Sequence, residues 1–262
     1  MKAENLRLNT KWLGRDLRQE ETVDSTNDFL KCLARQGARH GTVVLAKEQT
    51  GGKGRMGRRW VTPKGSSVAM SCLLRPQFGP EKASMLTLLM GLSVAQACMR
   101  LYPLEAWIKW PNDIVVSGKK LCGILTEMEA EPGRIEFVVI GVGINGNFTN
   151  FPEDLRDKAV SLQQTLGHSI ELATLTAAVL EAFEENYEKF CQTEDLSKCQ
   201  EQYNRILINR NRQVKVLQSG EELQGVAQGI NAQGELLVEK EGRTMVKICA
   251  GEVSVRGLDG YV

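Results

Sequence analysis

The spacing of apolar residues divides the chain into regions with different predicted secondary structure. Between about residues 25 and 140, segments with helical spacing alternate with short β-branched runs. Residues 172–190 place seven apolar side chains on one helical face, and a second helix is predicted at 195–208. Beyond residue 211 the chain consists of short strands joined by turns that contain glycine. This pattern predicts an α+β protein.

The first region is predicted to contain a mixed sheet backed by helices. One helix follows Ser25 and Thr26, and a second spans 81–101, whose stretch 83–99 carries no charge. Residues 6–18 read as a weakly helical lead-in. A hairpin is expected from 60–62 and 67–74, and a turn at 141–146. Further strands are predicted at 42–49, 106–113, 114–116, 121–127 and 135–140.

The final region is predicted to be a small closed barrel, because its five strands are short and evenly spaced. They are expected at 213–217, 222–230, 236–239, 244–248 and 253–256. The predicted fold class is therefore α+β, with a mixed β-sheet and helices at residues 1–210 and a small C-terminal β-barrel at 211–262. An exposed strand edge beside residues 135–140 would allow a homodimer.

Composition narrows the choice of partners and compartment. The 262 residues are 42% hydrophobic and 25% charged, with a net charge of +1, so no strong overall field attracts DNA or a membrane. Seven cysteines without a C-x-x-C pair, together with two histidines, give no zinc pattern and suggest reduced thiols. Polar residues interrupt 83–99, which favours a buried helix over a membrane span. The N-terminus lacks a signal peptide, so a cytoplasmic location is expected.

One stretch concentrates cations and glycines. Residues 51–60, Gly-Gly-Lys-Gly-Arg-Met-Gly-Arg-Arg-Trp, hold four of each, and no Asp or Glu occurs between 49 and 80. Glycines let backbone amides approach a ligand closely, and cations among such amides bind phosphate or carboxylate. The alternative is a mobile, solvated surface loop.

Two familiar phosphate motifs do not explain this loop. Gly52-x-Gly54-x-x-Gly57 matches the dinucleotide fingerprint by letters, but no helix can begin easily at 59–63 and no acidic residue follows at the required distance. The letters at 141–146 match as well, again without a following helix. No G-x-x-x-x-G-K-[ST] sequence occurs. The loop therefore belongs to another anion-binding class.

Four motifs in order resemble those of biotin–protein ligases. GKGRMGRRW at 52–60 resembles the glycine/arginine loop of that family, and KWPND at 109–113 with KLCGIL at 120–125 resembles its second signature. DSTN at 24–27 and GVGIN at 141–145 resemble two further family motifs. The resemblance extends from about residue 20 to the end of the chain, including the terminal strands.

The resemblance implies an ATP-dependent biotin–[acetyl-CoA-carboxylase] ligase. Such enzymes form biotinyl-5'-AMP from biotin and ATP, release pyrophosphate, and transfer biotin to a lysine of a biotin carboxyl carrier protein. Lys120 and Arg55 would be catalytic, with Lys120 bridging the carboxylate and the α-phosphate. Mg²⁺ is expected with ATP, and no metal ligand is identified. The implied biotin-binding residues are Ser25, Thr26, Asn27, Gln49, Lys53, Gly54, Arg55, Lys120 and Gly123. The implied nucleotide-binding residues are Lys53, Arg55, Arg58, Trp60, Asn112, Asp113 and Asn145, with Trp60 stacking on adenine.

The chemistry independently requires such groups, because two anions must be joined while charge grows on the α-phosphate. Taken alone, Ser25 or Thr26 would be a helix N-cap, and Lys120 a solvated hairpin lysine like Lys119. Family loops often carry arginine where Lys53 stands, and lysine cannot make a bidentate phosphate contact.

Other functions remain alternatives at this point. A lipoate–protein ligase or octanoyltransferase shares the broad fold but usually lacks the Lys-Trp-Pro-Asn-Asp signature. A nucleic-acid-binding protein would use the loop as a basic patch, with binding that falls steeply with salt. A catalytically inactive biotin sensor is a third possibility. Only 24 residues precede Ser25, too few for a winged helix-turn-helix, so a short-form ligase that is not a repressor is expected.

Overall fold

The computed structural model describes residues 6–61, 63–218, 221–251 and 253–257, which form two sheets and five α-helices. The first sheet has seven strands: β1 (Leu17–Val23), β2 (Val43–Gln49), β3 (Ser67–Leu74), β4 (Trp107–Lys109), β5 (Asp113–Val116), β6 (Lys119–Glu131) and β7 (Arg134–Asn145). The helices are α1 (Thr26–Arg35), α2 (Ala83–Leu101), α3 (Leu162–Leu166), α4 (Leu172–Thr193) and α5 (Gln200–Arg205). The second sheet contains β8 (Arg212–Gln218), β9 (Glu221–Ile230), β10 (Leu236–Glu239), β11 (Met245–Ile248) and β12 (Val253–Gly257).

The seven-stranded sheet has the order β1-β2-β3-β7-β6-β5-β4. Only β1 and β2 run parallel, and every other neighbouring pair is antiparallel, so the predicted mixed sheet is confirmed. Side chains alternate between the two faces. Val68, Met70 and Cys72 of β3, with Val142 and Ile144 of β7, join the main core.

The opposite face of the same strands is covered only in part. Leu30 and Ala34 of α1 pack there against Val44, Leu73 and Val139 in a smaller cluster. Beyond the start of α1, the centre of this face carries very small residues: Ala69, Ser71, Gly123, Gly141 and Gly143. The fold therefore creates an open region beside the N-terminus of α1.

The predicted apolar helices are core elements. Helix α2 buries 13 of its 19 residues, and it packs with α4 against the first sheet. By length and composition, Pro80–Leu101 is the one helix in the described ranges that could cross a membrane, but 67% of its apolar window is buried inside the fold. The prediction of a buried helix is confirmed.

The C-terminal sheet is antiparallel throughout, with the order β11-β10-β9-β8-β12. Its inward residues, including Val214, Val216, Ala227 and Val238, belong to the main core. The predicted all-β segment after residue 211 is confirmed. Among the described residues the sheet has edges at β11 and β12 and no pairing between them. The division into domains at 210/211 stays a prediction, because a change of sheet does not by itself define a separately folding unit.

Several predicted elements differ from the structure. Residues 6–16 are not helical, and a strand, β1, follows them. Its residues are polar because β1 lies at the sheet edge and hides little apolar surface. The 6–16 segment is held on α4 by Glu184, whose carboxylate accepts hydrogen bonds from the backbone N–H groups of Lys11, Trp12 and Leu13 at 2.6–2.9 Å.

Two predicted connections are also wrong. Residues 141–145 are not a turn but the end of β7, paired with β3 and β6. Residues 60–61 lie outside the sheet, so the predicted hairpin with 67–74 does not form, while residue 62 lies outside the described ranges. The strand predicted at 106–113 stops at Lys109, and the helix predicted at 195–208 is reduced to α5.

The expected free edge beside residues 135–140 is corrected by the topology. Strand β7 lies inside the sheet, between β3 and β6, and the outer strands are β1 and β4. A homodimer stays a prediction, without this edge to support it.

An aromatic cluster around His40 lies where the N-terminal segment meets α4. The ring of His40 is 4.5 Å from Trp12 and 5.9 Å from Tyr187, centroid to centroid, and its Nδ1 accepts a 3.0 Å hydrogen bond from the Arg75 N–H. Burial, and then the charge of Arg75, hold the pKa of His40 below its ordinary value of 6.5.

This lowered pKa predicts acid sensitivity of the fold. Below pH 6.5 the unfolded chain binds a proton that the folded chain resists, so the free energy of unfolding falls as pH drops from that value toward the folded pKa. We expect His40→Asn, which keeps an acceptor for Arg75, to lose less thermal stability than wild type between about pH 7.5 and about pH 5.5. The control is His168→Asn, at an exposed position. Equal pH slopes for wild type and His40→Asn would contradict this assignment.

Candidate active site

The open region of the first sheet has a floor of very small residues. Gly143 of β7 pairs with Gly123 of β6 on one side and with Ala69 of β3 on the other, and Gly141 pairs with Ser71. A Cβ on Gly143 would lie 2.4 Å from the Trp60 ring, and one on Gly141 would lie 2.2 Å from Asn27 Oδ1. The GVGIN motif is therefore a strand whose glycines make room for side chains from other elements.

Polar groups at the start of α1 form one end of the site. Ser25, Thr26 and Asn27 are all buried. Ser71 Oγ lies 2.8 Å from Thr26 Oγ1 and 2.6 Å from Asn27 Oδ1, while Gln49 Oε1 accepts from the Thr26 N–H at 2.8 Å. Ser25 stands at the N-cap position, yet its side chain makes no capping hydrogen bond. The N-cap alternative therefore does not explain Ser25.

The glycine loop, residues 51–60, folds back on itself above this floor. The Gly54 N–H donates to Arg58 O at 2.7 Å, and the Trp60 N–H donates to Gly52 O at 2.9 Å. Met56 and Gly57 at the tip have positive φ values of 56° and 72°, the conformation for which glycine is favoured. The loop is thus a short hairpin-like flap, held in shape by hydrogen bonds from the Gly54, Arg58 and Trp60 amides.

Arg55 fastens the tip of the flap to two other parts of the chain. Its guanidinium donates to Asn112 Oδ1 at 2.7 Å, to Val253 O at 3.0 Å and to Gly251 O. Burial lowers the pKa of Arg55, whereas Asp113 raises it and Arg58 lowers it further. Arg55 therefore joins the KWPND segment to the C-terminal sheet.

Lys120 lies beside the glycine floor and the flap. Its Nζ is 2.6 Å from Asp113 Oδ1 and 5.6 Å from the centroid of the Trp60 ring. Its backbone pairs with the 158–160 segment through Lys120 N–H to Lys158 O at 2.8 Å. Asn145 donates from Nδ2 to Val160 O at 3.1 Å, which holds that segment in place. Lys120 is thus held at both ends, by the backbone hydrogen bond to Lys158 and by the ion pair between its ammonium group and Asp113.

Two adjoining cavities flank Lys120 and Arg55. The first has a volume of about 50 Å³, room for only a few water molecules. The Trp60 ring lies against the floor at Gly143 and Gly123 and takes up much of the remaining space, so a larger ligand requires this side chain to shift. All nine residues predicted to bind biotin line this cavity: Ser25, Thr26, Asn27, Gln49, Lys53, Gly54, Arg55, Lys120 and Gly123.

The second cavity is much larger, about 660 Å³, within the usual range for small-molecule sites. Phe148 and Phe151, with ring centroids 4.6 Å apart, form an apolar wall with Leu155, and β12 closes another side. Six of the seven predicted nucleotide-binding residues line it: Arg55, Arg58, Trp60, Asn112, Asp113 and Asn145. Lys53 does not, because it pairs with Asp28 on α1.

The larger cavity is strongly cationic. Of the described residues that line it, seven are lysine or arginine and two are aspartate, although the whole chain carries only +1. Lys109 is buried, and burial lowers its pKa to about 8 despite the nearby Asp113. Unlike the predicted loop cations, Lys109 was not expected at the site. Its place as the first residue of the KWPND motif was the available signal.

The sequence also did not indicate Phe148, Phe151, Ser71 or Asp28 as site residues. Two phenylalanines within the polar NGNFTNFP segment were a usable signal for the aromatic wall. Ser71 and Asp28 had none, because their partners are distant in the chain and only the fold brings them together.

Two protein-family models match the chain. The one described as Biotin/lipoate A/B protein ligase family matches residues 20–145, and the one described as Biotin protein ligase C terminal domain matches residues 211–256. Together with the cationic flap and the two adjoining cavities, these matches define a ligase of the biotin/lipoate class.

Individual relatives narrow this class. The chain is 36% identical over 236 residues to the bifunctional ligase/repressor BirA of Bacillus spizizenii, covering 89% of this chain and 72% of that one. It is 32% identical over 234 residues to the biotin–[acetyl-CoA-carboxylase] ligase of Mycobacterium tuberculosis, covering 87% and 85%. The solved biotin protein ligase from Aquifex aeolicus, in complex with biotin and ATP, superposes with a TM-score of 0.82 at 28% identity, covering 93% and 99%. The chain therefore belongs to the biotin protein ligase family and is an ATP-dependent ligase, which confirms the resemblance seen in the four motifs. The lipoate alternative is not favoured.

The glycine floor makes a prediction that needs no ligand. We expect Gly143→Ala to lower the free energy of unfolding by about 1–3 kcal/mol, because its methyl group would collide with Trp60. In a Trp60→Ala background the same substitution is expected to cost little. Urea denaturation of the four chains measures this coupling. Gly91→Ala is the control, since a Cβ there meets only ordinary 3.7 Å contacts. An equal cost of Gly143→Ala in both backgrounds would rule out the proposed contact.

Proposed function

We propose that this chain joins biotin to AMP where the two cavities meet, and then transfers biotin to a carrier protein. The observation that supports this most is that the cavities share five lining residues: Gly54, Arg55, Trp60, Asn112 and Lys120. Two of these are cations, so a carboxylate in the smaller cavity and a phosphate in the larger one would face the same positive groups. Joining those two anions is the electrostatic problem of the first step.

In this proposal the biotin ring system lies at the start of α1. Ser25 has a hydroxyl that is not used for capping, and Thr26 and Asn27 are held by Ser71 and Gln49. Polar side chains that are oriented by fixed neighbours suit a small, neutral hydrogen-bonding ring. With the Trp60 ring shifted, the acyl chain would run along Gly123 and Gly143 toward Lys120.

The first reaction is a displacement at phosphorus. A carboxylate oxygen of biotin attacks the α-phosphorus of ATP, the new C–O–P linkage forms, and pyrophosphate leaves with the bonding electrons. Lys120 and Arg55 would neutralise the approaching anions and stabilise the charge that grows on the α-phosphate. Asp113 holds the Lys120 ammonium at 2.6 Å, and Asn112 holds Arg55 at 2.7 Å, so both cations are placed before reaction.

The larger cavity would hold the nucleotide. The aromatic wall of Phe148 and Phe151 offers a flat apolar surface for adenine, and the surrounding lysines and arginines face the phosphates. Trp60 lines both cavities and lies over the glycine floor, where it would cover the acyl half. Its predicted stacking on adenine stays a prediction that the variants below distinguish.

Mg²⁺ would arrive with ATP rather than occupy a protein cage. In the described part of the chain, no group of three or more His, Cys, Asp or Glu side chains could hold a metal ion. In the larger cavity only Asp113 and Asp157 supply carboxylates, and Asp113 already pairs with Lys120. Mg²⁺ commonly binds through phosphates with one or two carboxylates, so this donor set fits a metal carried by the substrate.

The second step requires an acceptor lysine, proposed to belong to a biotin carboxyl carrier protein of the acetyl-CoA carboxylase type. Its neutral amine attacks the biotinyl carbonyl, a C–N bond forms, the bond to AMP breaks, and the amine releases a proton. The supporting observation is the likeness to the Mycobacterium tuberculosis ligase. Cytoplasmic location, the absence of DNA binding and of a repressor role, and a homodimer stay predictions from the sequence.

Lys120→Ala tests the proposed centre of the reaction. We expect biotin-dependent exchange of labelled pyrophosphate into ATP to fall roughly 100- to 1,000-fold, since one preorganised charged donor at the reacting phosphate is lost. Lys119→Ala is the matched control, because the Lys119 Nζ donates to Arg156 O and Lys119 lines neither cavity. If exchange survives in Lys120→Ala, the main charge role lies with Arg55. Wild type without biotin-dependent exchange would overturn the proposed function.

Phe148→Ala tests the place of adenine. We expect the KM for ATP in the same exchange assay to rise roughly fivefold or more, because base–aromatic stacking contributes about 1–3 kcal/mol. The KM for biotin is expected to change little. Trp60→Ala is measured beside Phe148→Ala in the same assay. We expect Trp60→Ala to raise the KM for biotin more than the KM for ATP. The opposite ranking in the two variants would assign adenine to Trp60.

A further inference from the structure

Lys53, the single lysine of the flap, is turned away from the nucleotide side. Lys53 Nζ lies 2.6 Å from Asp28 Oδ2, and the other oxygen of Asp28 lies 2.9 Å from Lys31 Nζ. Burial tends to raise the pKa of Asp28, but the hydrogen bonds from Lys53 and Lys31 outweigh it and hold that pKa below its ordinary value. The position where the family often carries arginine therefore holds a lysine that is engaged with helix α1.

This ion pair continues into the polar end of the site. Lys31 also contacts Glu127 Oε1 at 2.6 Å, and Glu127 Oε2 accepts from Asn27 Nδ2 at 2.7 Å. An unbroken chain of charged and polar contacts thus runs from the flap, through Asp28, Lys31 and Glu127, to Asn27. A flap that moves outward must break the first link of this chain.

A second side chain, Arg55, holds the tip of the flap. Arg55 reaches Asn112 and the carbonyl of Val253, on the side of the larger cavity. The hydrogen bonds from the Gly54 and Trp60 amides join the two arms of the flap, so that it behaves as a single short unit. Lys53 therefore holds the flap on the side of α1 and the smaller cavity, and Arg55 holds it on the side of the larger cavity.

We propose that Lys53 and Asp28 are positioning residues, whose ion pair holds the flap closed over the acyl half of the bound adenylate. This inference rests on the proposed function for the identity of the adenylate, but not for the contact itself. A lysine suits the task because a single carboxylate oxygen needs one point charge rather than a planar fork. Both side chains are partly exposed, at 49% and 37%, so the pair affects flap opening more than overall stability.

Amide hydrogen exchange on the ligand-free protein tests the contact directly. In Asp28→Asn and in Lys53→Met, the Gly54 and Trp60 amides are expected to exchange roughly threefold to fivefold faster than in wild type, the size of effect an exposed ion pair gives. The double variant is expected to match each single variant, since one shared interaction is lost. Lys64→Met, an exposed lysine that lines neither cavity, is the matched control and is expected to leave exchange unchanged. Unchanged protection in both single variants overturns the proposal.

Release of preformed biotinyl-5'-AMP tests the consequence. The release rate is expected to rise roughly threefold to fivefold in Asp28→Asn and in Lys53→Met, while Lys53→Arg, which keeps the charge, stays near wild type. The difference between variants and wild type is expected to shrink as salt is added, because exposed charges are screened. Faster amide exchange with unchanged adenylate release would overturn the role in retention. If wild type forms no biotinyl-5'-AMP, the proposed function fails, while the amide-exchange result still decides whether the pair holds the flap.

Discussion

The absence of side chains at the centre of the first sheet is the constraint on which the site depends. Where β3, β6 and β7 lie side by side, Gly123 and Gly143 face each other and Ala69 follows. Any larger residue at Gly143 would meet the ring of Trp60, and any at Gly141 would meet Asn27. The other face of these strands is filled with valine, methionine and isoleucine. One sheet therefore supplies both a dense core and a bare surface, because successive residues point in opposite directions.

The electrostatic arrangement follows from this geometry. Cations that belong to the flap, to β4 and to β6 converge on one cavity although the chain as a whole is nearly neutral. Two of them have defined partners: Lys120 pairs with Asp113, and Arg55 donates to Asn112 and to main-chain carbonyls. Restrained charges stabilise a developing anion without first having to reorganise, which is the main advantage of a folded site over water.

Much of the candidate site was predictable from the sequence, because its signals are local. The flap is recognisable from ten consecutive residues, and KWPND with Lys120 from another short segment. The rest depended on which segments become neighbours. That β7 continues through Gly141 and Gly143 cannot be read from those letters, which also suit a turn. In the sequence Asp28 is an ordinary helix residue, and only the fold brings it next to Lys53. β1 was missed because a polar edge strand lacks the alternation that marks a half-buried one.

Arg55 binds the C-terminal segment through main-chain atoms, and this affects which sequence changes the connection can tolerate. The guanidinium binds carbonyl oxygens of Gly251 and Val253, not their side chains. Every amino acid presents the same carbonyl, so substitutions at these two positions leave the acceptors in place as long as the backbone keeps its path. The hydrogen bonds between the terminal sheet and the flap therefore do not depend on which side chains stand at these two positions. By the same reasoning, a chimera that carries a relative's terminal sheet would keep this connection through main-chain shape alone.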